Sequence, residues 1–85
     1  MTDSTITVFV NARVVHVAAG ATVLDAVRAF DPAEGDALAA GTRGVTDSRG
    51  LPAAADAPVH GGAIFRLVSA RAARAADAAA DEETA

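Results

Sequence analysis

The chain has 85 residues, enough for one small domain. Of these, 24 are alanine, which leaves 20 Val, Ile, Leu, Met and Phe side chains to build a core. With no cysteine and a net charge of −4, disulfides, thiolate catalysis and iron–sulfur or Cys-type zinc sites are excluded, and nucleic acid or an anionic membrane is a poor partner.

No apolar run approaches the ~20 residues needed to span a bilayer. The opening Met1-Thr2-Asp3-Ser4 lacks the basic stretch and apolar run of a secretory signal. A cytoplasmic protein is therefore expected.

Ile6-Thr7-Val8-Phe9-Val10 is dense in β-branched and aromatic residues and predicts a strand. Strand alternation puts Ile6, Val8 and Val10 on one face and Phe9 on the other. Asn11-Ala12 is a two-residue turn in which Asn tolerates positive φ, and a second strand runs Arg13 to Val17. Gly20-Ala21 breaks that strand. Thr22 then offers an N-cap, with Asp25 three residues on as a near-match to the capping box. Val23, Leu24, Val27 and Phe30 follow at 3–4-residue spacing, the apolar face of a helix from Thr22 to about Phe30. Asp31-Pro32 ends it, because a residue before proline disfavours the helical region.

Residues 33–44 contain a lone Leu38 and predict a loop, with at most a helical turn near Asp36–Ala40. Gly44-Val45-Thr46-Asp47 predicts a short strand, and Asp47-Ser48-Arg49-Gly50 a turn. Leu51 begins a return strand that Pro52 confines to an edge. Ala53 to Pro58 is irregular, Val59-His60-Gly61-Gly62 is a tight turn, and Ala63 to Ser69 is the last strand. The expected core is Ile6, Val8, Val10, Val15, Val17, Val23, Val27, Phe30, Phe65 and Leu67. From Ala70 to Ala85 the chain is alanine-rich, with arginines first and acids last, against the helix dipole. A fraying helix or disorder is expected there, because a lone helix of ~15 residues is marginal in water.

Hairpin, helix, loop, short strand, turn and final strand is the order of the ubiquitin-like β-grasp. The stretch from Ile6 to Val27, with its Asn11-Ala12 turn and Gly20-Ala21-Thr22-Val23 helix start, resembles the opening of the ThiS/MoaD-like sulfur carriers. Pro58-Val59-His60-Gly61-Gly62-Ala63 resembles their turn into the last strand. The resemblance covers residues 5–69. It implies an α+β, β-grasp domain with a mixed sheet of four or five strands on one main helix, followed by a 70–85 tail. The family's sulfur carriers end in Gly-Gly just past the last strand, and the terminal carboxylate carries the sulfur. Here no glycine follows residue 62, and Gly61-Gly62 precedes the last strand. The residues of the family's chemistry are thus missing from the matching position. The plant-type ferredoxins, also β-grasp proteins, are excluded by the lack of cysteine for their cluster.

No constellation points to catalysis, a cofactor or a metal. His16 and His60, the two histidines, lack a third ligand in the pattern and read as surface residues. Asp47, Arg49 and Asp56 read as turn residues. Ser48 lacks a nucleophile elbow, and the segment Gly41-Thr42-Arg43-Gly44 is too short for a phosphate loop. The outer sheet face is more informative. With Phe65 and Leu67 inward, Ile64, Arg66 and Val68 point outward, joined by Phe9, Val14 and His16 from the hairpin. A contiguous apolar patch of this kind marks a partner, and ubiquitin-like proteins commonly bind through this face. The expected function is a non-catalytic protein-binding module. The alternatives are a sulfur carrier whose tail is trimmed, an enzyme without a visible acid–base pair or nucleophile, and a homo-oligomer joined by the same face or an open edge strand.

Overall fold

The computed structural model describes residues 4–75. In chain order the elements are β1 (Thr5–Val10), β2 (Arg13–Ala18), α1 (Val23–Phe30), α2 (Pro32–Ala40), β3 (Arg43–Thr46) and β4 (Ile64–Ser69). The molecule is a mixed α+β structure with a four-stranded sheet in the order β2-β1-β4-β3. β1 pairs antiparallel with β2 and parallel with β4, and β3 pairs antiparallel with β4. The predicted return strand at Leu51 is reduced to a single bridge between Thr46 and Pro52. Proline has no N–H with which to extend a ladder.

The β1–β2 turn takes left-handed φ at both central residues, +52° at Asn11 and +68° at Ala12. This is the type I′ geometry whose twist matches the flanking strands. Asn accepts such a conformation readily; Ala12 holds it at a cost of order 1 kcal/mol.

α1 begins as the capping pattern predicts. The Thr22 hydroxyl accepts from the Asp25 N–H at 3.2 Å, and the Asp25 carboxylate accepts from the Thr22 N–H at 3.0 Å. Asp31 then serves two helices at once. Its N–H closes α1 on the Val27 carbonyl at 2.8 Å, and its carboxylate caps α2 through the Ala33 N–H at 3.0 Å. So the loop expected over residues 33–44 is corrected to a helix over Pro32–Ala40. Its determinants are Asp31 as N-cap, Pro32 in the first turn and Gly41 at φ +86° as the C-terminal stop. The apolar spacing that signals most helices is missing here. The two helices touch at Gly35, where any Cβ would overlap the Arg28 side chain. A bidentate Arg43–Glu34 pair, with Nε to Oε1 at 2.9 Å, ties α2 to the start of β3.

The core lies between α1 and one face of the sheet. Val8, Val10, Val15, Val17, Val23, Val27, Phe65 and Leu67 are buried there as expected. Ile6 and Phe30 are half-buried and pack against the core's margin. Ala26, Val45 and Val59 complete the core. Val59 arrives on an irregular segment, held by its N–H to the Ala21 carbonyl at 2.9 Å and by the neighbouring Thr22–Pro58 bridge.

After β4 the chain turns helical over residues 70–75. The Ser69 hydroxyl caps this turn by accepting from the Ala72 N–H at 3.0 Å. Ala73 rests on Gly44, where there is no room for a Cβ. The start of the tail therefore docks through alanine, without any large apolar group. The remainder of the expected tail, 76–85, lies outside the described residues.

Candidate functional site

Alternation divides the sheet into two faces. Val8, Val10, Val15, Val17, Phe65 and Leu67 point to α1 and are buried, while Val14, His16, Ile64 and Arg66 point the other way and are exposed. Register aligns the apolar members of this outer set. Phe9 pairs with Val14 on one side and with Ile64 on the other, so Val14, Phe9 and Ile64 form one row across three strands. Val14 is 56% exposed and Ile64 51%, the two large hydrophobic residues left most open among the described residues. Phe9, between them, is half-buried.

The other predicted face residues surround this row unequally. His16 lies beside it on β2, opposite Thr7, whose hydroxyl is 3.2 Å from the His16 Nδ1. Arg66 is two residues along β4 from Ile64, paired with a buried Thr46. Val68 belongs to a different neighbourhood: it is half-buried and pairs with Gly44, the residue that Ala73 covers. The outer face is thus an exposed apolar row with a cation and a histidine at its flanks, and it ends where residues 70–75 begin.

Beside Ile64 and Arg66 the face deepens into an open groove of about 820 Å³. Asn11 and Ala12 of the hairpin turn form one wall, and the turn from Asp47 to Gly50 forms the other. Asn11 also has a role beyond its turn. Its side-chain oxygen accepts from the Leu67 N–H at 2.9 Å, continuing the β1–β4 ladder past the end of β1. Sequence reasoning recognised only its tolerance of positive φ. The side-chain bond depends on β4 lying beside the turn, which no local pattern reveals.

Asp47 organises the opposite wall. One carboxylate oxygen accepts from the Arg49 and Leu51 N–H groups at 2.9 and 3.1 Å, and the other pairs with the Arg49 guanidinium at 3.0 Å. Burial pushes its carboxyl up, but the Leu51 and Arg49 hydrogen bonds outweigh this and hold it below the ordinary value. Its oxygens are committed to the turn. Asp56 is exposed on the connection to β4. Gly61-Gly62 forms a turn, with Gly62 at φ +85° donating to the Thr7 carbonyl at 2.7 Å.

The N-terminus of α1 is not a free anion site. Its first N–H groups, on Val23 and Leu24, donate to the Ala57 and Ala55 carbonyls at 2.9 Å each. The next two, on Asp25 and Ala26, donate to the Thr22 hydroxyl and carbonyl. Phosphate binding at a helix start needs those donors unoccupied. Among the described residues no three His, Asp or Glu side chains gather as a metal set, and no helix is long and apolar enough to cross a membrane. No protein-family model matches the chain, and neither a curated protein nor a solved structure aligns with it significantly.

Proposed function

We propose that the chain is a β-grasp, ubiquitin-like binding module that works without catalysis, and that it receives another protein on the outer sheet face. The observation that carries this reading is the row Val14–Phe9–Ile64, aligned by register across three strands, with Val14 and Ile64 exposed and Phe9 half-buried between them. Apolar side chains in a line, rimmed by Arg66 and His16, have the make-up of an interface centre with a polar margin. The β-grasp reading is supported by the hairpin that leads into a capped helix and by the parallel pairing of the first and last strands at the centre of the sheet. The resemblance to sulfur carriers stops at that level. Ser69 leads into a capped helical turn at 70–75, where a slim glycine tail would be needed.

Photo-crosslinking tests this. A crosslinking residue at position 64, used in cells of the source organism, should give a discrete adduct that Val14→Asp removes. The same residue at Ala39, on the exposed side of α2, should give none. Equal adducts from both positions, or none from position 64, would refute the reading. Incubation with ATP, a sulfur source and an activating enzyme should leave the chain mass unchanged; exchange of one oxygen for sulfur would restore the sulfur-carrier alternative.

A further inference from the structure

The two edges of the sheet differ. The β3 edge is covered: the Ala53 N–H donates to the Val45 carbonyl at 2.8 Å, the Asp47 N–H donates to the Leu51 carbonyl at 2.8 Å, and Pro52 bridges Thr46. Among the described residues the β2 edge is bare. In a two-residue hairpin the residues flanking the turn form the hydrogen-bonded pair, here Val10 with Arg13. Arg13, Val15 and Val17 therefore spend their backbone groups on β1, and Val14, His16 and Ala18 turn theirs outward. Among the described residues, the N–H groups of all three and the carbonyls of Val14 and His16 meet no partner. Natural edges are blunted by lysine, proline, a bulge or an inward charge. Between Val14 and Ala18 this strand has none of these.

We infer that β2 pairs antiparallel with β2 of a second copy of the chain, about a two-fold axis at His16. The outward groups choose that register. Three alternate residues centred on His16 are self-complementary under a two-fold, which sets His16 against the second His16 and Val14 against Ala18, whose carbonyl accepts from the Ala21 N–H at 3.0 Å and has its second lone pair for the Val14 N–H. Any slip of two residues leaves one of the three unmatched. No like-charged Arg or acid faces its own kind in this pairing, because Arg13 lies opposite Ala19. The inner faces also agree, since Val15 and Val17 of the two copies become neighbours at the core margin. The axis stands perpendicular to the sheet, so both outer faces come to lie on the same side. An eight-stranded sheet results, with two Val14–Phe9–Ile64 rows on one surface. The dimer does not depend on what those rows bind.

Light scattering on the full chain tests the pairing. The mass should rise from 8.4 kDa toward twice that value with concentration. His16→Lys and His16→Glu set like charges at the axis, and each alone should stay at the single-chain mass. Mixed in equal amounts, the two variants should recover the doubled mass, since Lys then faces Glu. That recovery also shows that both variants fold. A parent at the single-chain mass up to ~1 mM, a dimer that survives either substitution, or a mixture that stays monomeric would overturn the inference. So would a dimer broken by Ile64→Asp and untouched at position 16.

Discussion

The two faces of the sheet both carry valine, with opposite fates. On the inner face Val8 and Val10 are fully buried; on the outer face Val14, of the same residue type, is 56% exposed. The difference comes from position alone. α1 covers the face that its own Val23 and Val27 can meet, and the outer face is covered along β3, where Ala73 rests on Gly44 and Thr46 is buried. On β1, β2 and β4 strand parity rather than residue type therefore decides which valines are buried, whereas on β3 Gly44, Val45 and Thr46 are all buried.

Substitutions that sharpen this contrast range widely in expected effect. Val27→Ala removes a side chain that is 1% exposed and should cost about 2 kcal/mol or more. In a domain of this size that loss should lower the thermal midpoint by roughly 10 °C. Val14→Ala, of identical chemistry on the outer face, should stay within about 0.5 kcal/mol of the parent. Equal losses at the two sites would show that the outer face is covered in solution. Gly44→Val probes the boundary between covered and open sheet. It should displace Ala73 and cost about 1–3 kcal/mol, and a neutral result would show that residues 70–75 do not rest there.

A gain is expected at the hairpin. Ala12→Gly relieves a left-handed alanine and should stabilise by about 0.5–1 kcal/mol, read as a higher urea midpoint.

The smallest expected effect is on acid stability. Hydrogen bonds hold Asp47 below the ordinary carboxyl value against the opposing effect of burial, and the Arg43 hydrogen bond does the same for Glu34. A carboxyl depressed in the folded state stabilises above its unfolded value, and that contribution disappears as pH falls through the folded value. The thermal midpoint should therefore fall below about pH 4, and Asp47→Asn should flatten part of that fall. An Asp47→Asn variant whose midpoint falls in acid as steeply as the parent's, or more steeply, would contradict the sign.

How much could be read in advance follows from the range of each signal. The hairpin, the Thr22 cap, the apolar face of α1 and the outer row were legible because residues at most four apart, or strictly alternating, encode them. Helix α2 was missed because its evidence is punctuation: Asp31, Pro32 and Gly41 bracket a segment with almost no apolar pattern. Val59 and Val45 were missed for another reason. A single valine among turn residues, or in a four-residue strand, is buried only by what the rest of the fold brings over it. The Asn11–Leu67 bond and the Ala73–Gly44 contact are of the same long-range kind. In the candidate site the three aligned residues were legible, and the separation of Val68 from them was not, since it depends on the path taken after Ser69.

The stitching of the α1 start to the Ala55–Val59 segment has a kinetic consequence. Two of the first four amides of this helix, on Val23 and Leu24, find their acceptors on a stretch far along the chain. A peptide spanning only the helix would keep its Thr22–Asp25 box but lose those two bonds. The helix start is therefore completed late in folding, when the long connection to β4 closes over it. In hydrogen exchange, the Val23, Leu24 and Val59 amides should open together as one unit, at a rate distinct from the amides in the middle of the same helix.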